Sequence, residues 1–141
     1  MVGGDSCDDR GLDLEVHAAV AALVRNLVAE GLVAGVHDTA DGLGVALAEM
    51  SVRSGKGFRV SATGADHAWL FAESASRVVA CVINGHGDDV IRAAQSAGVL
   101  ATRLGRAGGA SLVVDGLLDV SVTDATTAWR DELPAALGHG A

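Results

Sequence analysis

Val78-Val79-Ala80-Cys81-Val82-Ile83 sets six apolar residues in a row, four of them β-branched, between the polar turn Glu73–Ser76 and Asn84-Gly85. A short run of this kind reads as a buried strand, and Arg77 to Ile83 is the best strand in the chain. It is far too short to span a bilayer, which takes about 20 apolar residues. Upstream the period changes. Val16, Val20, Leu23, Val24 and Leu27 share one helical face in a helix that starts near Leu12 and stops at Gly31. Val33–His37 then reads as a strand, Leu43–Arg53 as a helix broken by Ser54-Gly55-Lys56-Gly57, and Phe58–Ala62 as a strand. Asp88–Ala97 is helical and ends at Gly98. Val99–Leu104 and Leu112–Val114 read as strands joined through Gly105–Gly109, a hairpin or bulged turn. Leu117–Val120 extends the sheet, and Thr123–Leu133 closes the chain as a helix before Pro134. The order α-β-α-β-β-α-β-β-α, without internal repeats, predicts one domain over 12–137. A polar, flexible leader over 1–11 and a frayed tail over 138–141 flank it.

Half of the 141 residues are hydrophobic, enough for a real core without metals or disulfides. The net charge of −8 argues against binding nucleic acid, because phosphate contacts need clustered Lys and Arg. Lys56 is the only lysine, so the chain looks short of parts for complete ATP chemistry. No basic, apolar signal segment opens it, and no membrane span is expected. Cys7 and Cys81 form no CxxC pattern. Cys81 reads as a buried thiol and Cys7 as exposed, which fits a reducing, cytoplasmic setting.

Two polar groups are candidates for chemistry. In His37-Asp38-Thr39-Ala40-Asp41-Gly42, a strand ends and a helix begins, where backbone N–H groups can face a ligand. Its two carboxylates suit a magnesium ion or a ribose hydroxyl. The favoured reading is local: Asp41 as N-cap, Asp38 closing an Asx-turn, Gly42 supplying backbone freedom. Glu73-Ser74-Ala75-Ser76-Arg77 offers a carboxylate, two hydroxyls and a guanidinium for a phosphate or sugar. Its simpler reading is a surface turn with a Glu73–Arg77 ion pair. His17, His67, His86 and His139 lack metal-ligand spacing, and no Ser/His/Asp set has a nucleophile-elbow context.

The order of these segments is more specific than any one of them. Val36-His37-Asp38-Thr39-Ala40-Asp41-Gly42-Leu43-Gly44-Val45-Ala46-Leu47-Ala48-Glu49-Met50 resembles the HDVSDGGLxVALAEM segment of the phosphoribosylformylglycinamidine synthase family. The segment belongs to that family's last domain, which is shared with aminoimidazole ribonucleotide synthase. Leu70–Val79 resembles the family's LFxESxSRVV, Ala97–Gly109 its AGVPAxxIGRVGG, and Asp124–Pro134 its closing AWxxALP helix. The resemblance covers about residues 12–137. It departs at Ala40, where the family has Ser, at Gly42, where it has two glycines, and at Ala110-Ser111, where it commonly has Asp-Arg. A shortened loop re-aims its N–H groups.

The resemblance implies an α+β fold in α/β layers, a mixed β-sheet covered by helices like the C-terminal domain of aminoimidazole ribonucleotide synthase. It also implies a module of an ATP-dependent ligase of purine biosynthesis. That ligase converts formylglycinamide ribonucleotide, ATP and glutamine-derived ammonia to formylglycinamidine ribonucleotide, ADP and phosphate. The family's catalytic histidines, magnesium ligands and main nucleotide contacts lie in preceding domains. ATP and Mg2+ are therefore expected in the complete enzyme and neither on this chain alone, where no catalytic or metal residue is assigned. His37, Asp38, Asp41, Gly42, Glu73, Ser76 and Arg77 remain as candidates for a domain interface or a pseudo-symmetric second site. In the family's first half the counterpart of the 73–77 loop uses a Glu and a Gln on substrate, whereas the Gln position here is Ala75. Expected partners are the preceding synthetase domains and a glutaminase subunit, with a homodimer possible. The alternatives are a free-standing, non-catalytic interaction domain, or a domain of a related aminoimidazole ribonucleotide synthase or selenophosphate synthetase-type enzyme.

Overall fold

The computed structural model describes residues 1–3, 7–8, 11–61 and 66–138. Residues 139–141 of the expected tail, and the side chain of Cys7, lie outside the described residues. In chain order the elements are β1 (Cys7–Asp8), β2 (Gly11–Leu12), α1 (Leu14–Ala29), β3 (Val33–Asp38), α2 (Leu43–Ser54), β4 (Phe58–Val60), α3 (His67–Phe71), β5 (Val78–Val82), α4 (Gly87–Ser96), β6 (Gly105–Ala107), β7 (Ser111–Val114), β8 (Leu118–Ser121) and α5 (Val122–Ala136). This is the α+β class the resemblance implies. The stretch expected as one domain divides into two compact units, Met1–Ala46 with His67–Arg103, and Leu47–Asp66 with Leu104–Ala141.

In the first unit, α1 starts at Asp13, whose carboxylate accepts from the backbone N–H groups of Glu15 (2.9 Å) and Val16 (3.1 Å). It ends where Gly31 takes φ +67°. Gly31 N–H then donates to Val28 O (3.1 Å) and Leu32 N–H to Leu27 O (3.0 Å), satisfying two terminal carbonyls in a Schellman motif. Gly98 closes α4 in the same way, with Gly98 N–H on Gln95 O and Val99 N–H on Ala94 O. The two helices bury Val20, Leu23 and Leu27 with Val90 and Ala94 in one core. Val78, Ala80 and Val82 pack against it from β5. β3 and β5 are antiparallel, with Val36 opposite Ala80 and Asp38 opposite Val78. Cys81, expected to be buried, is half-buried on β5.

Residues 1–3, expected within a flexible leader, are instead a short extended segment beside β5. Val2 is 2% exposed and exchanges both backbone bonds with Val78 (2.8 and 2.9 Å). On the other side, Gly3 N–H donates to Leu100 O and Thr102 N–H to Met1 O, both at 2.8 Å. An apolar side chain with two backbone edges to satisfy outweighs the polar residues that follow it. The strand expected over 99–104 reduces to one bridging residue, Ala101, opposite Val2.

In the second unit four strands run in the order β6-β4-β7-β8, with β4 parallel to β7 and the other pairs antiparallel. Phe58 and Val60 of β4 lie inward beside Leu112 and Val114 of β7. The hairpin expected around Gly105–Gly109 is therefore replaced by a split pair, because β4 lies between β6 and β7. Glycine permits this. A Cβ on Gly57 or Gly105 would collide with the backbone of Ser111 or Arg59, respectively. Gly105–Ala107 is strand, and the connection to β7 is Gly108-Gly109-Ala110, with positive φ at both glycines. Pro134, expected to lie beyond α5, is inside it. It falls in the last turn, where only one intrahelical bond is lost.

Leu27→Ala should cost about 2–5 kcal/mol through transfer and cavity terms, measured by urea denaturation. Val28→Ala, at a side chain 53% exposed, should change stability by under about 0.5 kcal/mol. Equal losses at the two positions would contradict this core.

Candidate functional site

The 37–42 loop follows β3 directly, so the β3–β5 register decides what it meets. Thr39, 1% exposed, donates through both its N–H (3.2 Å) and its Oγ1 (3.3 Å) to the carbonyl of Arg77. Asp38 Oδ1 accepts from Ala40 N–H at 3.1 Å, the Asx-turn anticipated from the residues. Gly42 N–H donates to Thr39 O at 3.0 Å. Three loop amides, of Thr39, Ala40 and Gly42, are thus engaged by protein acceptors. That geometry builds a corner and leaves those donors unavailable to a phosphate. His37 Nδ1 lies 2.7 Å from Asp38 O, a contact in which the ring N–H donates.

The N-cap of α2 differs from expectation by one residue. Ala46 N–H donates to Gly42 O (3.2 Å), so Gly42, and not Asp41, is the residue whose carbonyl opens the helix. Gly42 has φ +96°, and a Cβ there would lie 2.9 Å from Phe71 Cα and 3.0 Å from Leu70 O. At Gly44 a Cβ would stand 3.0 Å from the Phe71 ring. The two glycines let the start of α2 lie against α3, whose His67 ring stacks on Phe71 at 5.6 Å. The single glycine at the family's glycine pair is therefore at a position where sterics demand one.

The second candidate group meets the first through its backbone. Arg77 supplies the carbonyl that holds Thr39, and its side-chain Nε is buried. Ser76 is the one described non-glycine residue with positive φ (60°), and its Oγ lies 2.9 Å from His17 Nδ1 on α1. Asp38, Asp41 and Glu73 are exposed. A shallow depression of about 330 Å³ is lined by Val24, Val36, His37, Asp38 and Val78, so two of the seven candidates reach it. Among the described residues, no three His, Cys, Asp or Glu side chains gather as a metal-ligand set. The engaged N–H groups of Thr39, Ala40 and Gly42 do not fit a nucleotide phosphate.

Two clusters carry no signal in the residue pattern. In the second unit, Arg59 and Ser61 both hydrogen-bond Asp115, 54 to 56 positions away, because the parallel β4–β7 register brings them together. The Ser61 hydroxyl, followed by the charge of Arg59, holds the Asp115 carboxyl below the usual carboxylate range despite opposing desolvation. Arg59, Asp115, Leu117 and Asp119 help line an open depression of about 410 Å³. In the first unit, His86 and Arg92 lower the pKa of Asp89 at the start of α4, the His86 hydrogen bond contributing most.

Gly42→Ala should destabilise by about 1–3 kcal/mol more than Gly85→Ala. Both glycines have φ near +95°, but a Cβ at Gly85 meets nothing within 4 Å. Equal losses in chemical denaturation would show that Phe71 exerts no steric demand. For Asp115, whose folded pKa is depressed, the contribution to stability is in place above the unfolded pKa and lost as pH falls through the folded one. Ser61→Ala should move the Asp115 midpoint upward in a carboxyl-carbon NMR titration. An unmoved midpoint would contradict the assigned cause.

The chain is 40% identical over 128 residues to the phosphoribosylformylglycinamidine synthase subunit PurL of Nocardioides sp., covering 90% of this chain and 17% of that protein. Among solved structures, Thermotoga maritima PurL complexed with ATP matches 89% of this chain and 24% of its own at a TM-score of 0.75 and 18% identity. PurLQS from the same organism matches 86% and 24%, with a TM-score of 0.71 and 16% identity. The chain thus spans about a fifth of the length of the curated relatives it matches. The family model described as "AIR synthase related protein, C-terminal domain" matches residues 7–115, most of the chain, and the chain belongs to that family.

Proposed function

We propose that this chain is the C-terminal module of a phosphoribosylformylglycinamidine synthase. The complete ligase joins formylglycinamide ribonucleotide to ammonia released from glutamine and forms formylglycinamidine ribonucleotide, with ATP converted to ADP and phosphate. The observation that carries this reading is the 40% identity across nine-tenths of the chain to a subunit of that name. The likeness of fold to a PurL complexed with ATP supports it. On this reading, ATP and Mg2+ are handled by the domains that make up the other four-fifths of such proteins. The engaged loop amides and the single Lys56 agree with that division of labour.

His37, Asp38, Asp41, Gly42, Glu73, Ser76 and Arg77 then serve to shape a corner presented to a neighbouring domain. Its rigidity comes from Thr39, Gly42 and the Arg77 carbonyl. The partners are the other synthetase domains and a glutaminase subunit, in keeping with a PurLQS structure among the similar folds. A homodimer is compatible with this reading. No helix among the described residues is long and apolar enough to cross a membrane, and a cytoplasmic location belongs to the same proposal.

The test is genetic. In a purine auxotroph whose synthetase lacks the stretch matched here, this chain fused in its place should restore growth without added purine. No growth, with the fusion protein present at normal abundance, would overturn the proposal.

A further inference from the structure

We propose that the apolar face of α5 is an interaction surface occupied by another domain of a full-length synthetase of this family, an inference that rests on the function proposed above. Val122, Ala125 and Trp129 recur at helical spacing and share one face. The face is half-buried where it begins, at Val122, Ala125 and Thr126. It then runs on uncovered. Every residue from Thr127 to Glu132 is exposed, and Trp129 is 53% exposed. A helix of 15 residues has little stability from its own hydrogen bonds and depends on burying such a face. Tryptophan is the side chain with most to gain from burial.

Size points to the occupant. A helix of this length is about 22 Å long and roughly 10 Å across, a footprint of roughly 200 Å². Stable dimers bury about 800 Å² per partner, so a second copy of this chain held through this face falls well short. The relatives carry more than four-fifths of their length outside the matched stretch. Within one polypeptide, domains meet at millimolar effective concentration, and a small face suffices. Around Trp129 the exposed charges are Asp124, Asp131 and Glu132 against Arg130. The fitting occupant is an apolar groove with a basic rim on a neighbouring synthetase domain.

Hydrogen exchange tests this on the 141-residue chain, alone and fused to the Nocardioides relative in place of its matched stretch. Amides of residues 127–132 should exchange at least about tenfold more slowly in the fusion than in the chain alone. Trp129→Arg should abolish that protection in the fusion and leave the isolated chain unchanged. Mixing the chain with the relative trimmed of its matched stretch reads the same protection without requiring the fusion to fold. Equal exchange in all settings overturns the inference, as does protection that rises with the concentration of the chain alone, which identifies a second copy. Growth of the purine auxotroph reports separately. A fusion that supports growth with α5 unprotected overturns only the surface, and a protected α5 without growth overturns only the module reading.

Discussion

Backbone pairing on both edges of β5 organises the first unit, and the candidate residues take their positions from it. One edge holds β3 in a register that ends with Asp38 opposite Val78. That register delivers the next residue, Thr39, to the carbonyl of Arg77. The other edge holds Val2, which in turn bridges to Ala101. A one-residue slip of β3 would turn Val36 and Asp38 to the opposite face and separate Thr39 from its acceptor. The loop is thus the end product of a strand register, and its Thr39, Ala40 and Gly42 amides are committed before any ligand arrives.

Close approach of backbones is the second constraint. Gly42 lies against Phe71, and Gly57 and Gly105 let β4 slide between two strands that are near neighbours in sequence. In each case a methyl group would stand where another main chain already is. This gives a physical role to part of a glycine-rich composition, each of these glycines trading chain entropy for proximity.

Local patterns were legible where the determinants are local. The apolar run of β5, the stripe of α1 and the stops at Gly31 and Gly98 all lie within a few residues of what they specify. The Asx-turn at Asp38 is equally local. Gly105–Gly109 misled because glycine signals both a turn and a tight strand contact, and only the arrival of β4 decides between them. Val2 looked like part of a polar leader because its partners, Val78 and Ala101, are far away in sequence. Asp115 gave no signal for the same reason: its partners, Arg59 on β4 and Ser61 just after it, meet it only after a parallel pairing forms. The cap moved from Asp41 to Gly42 because the approach of Phe71 outranks capping propensity. The candidate residues themselves stood out through the order of their motifs, whereas the bond from Thr39 to the Arg77 carbonyl required the register.

On the function proposed above, the corner at 37–42 belongs to a module whose chemistry is completed by other synthetase domains. The most direct measurement is ADP release by the purified 141-residue chain given ATP, formylglycinamide ribonucleotide and ammonia. The account predicts a rate indistinguishable from the protein-free blank. Turnover that depends on formylglycinamide ribonucleotide would contradict it.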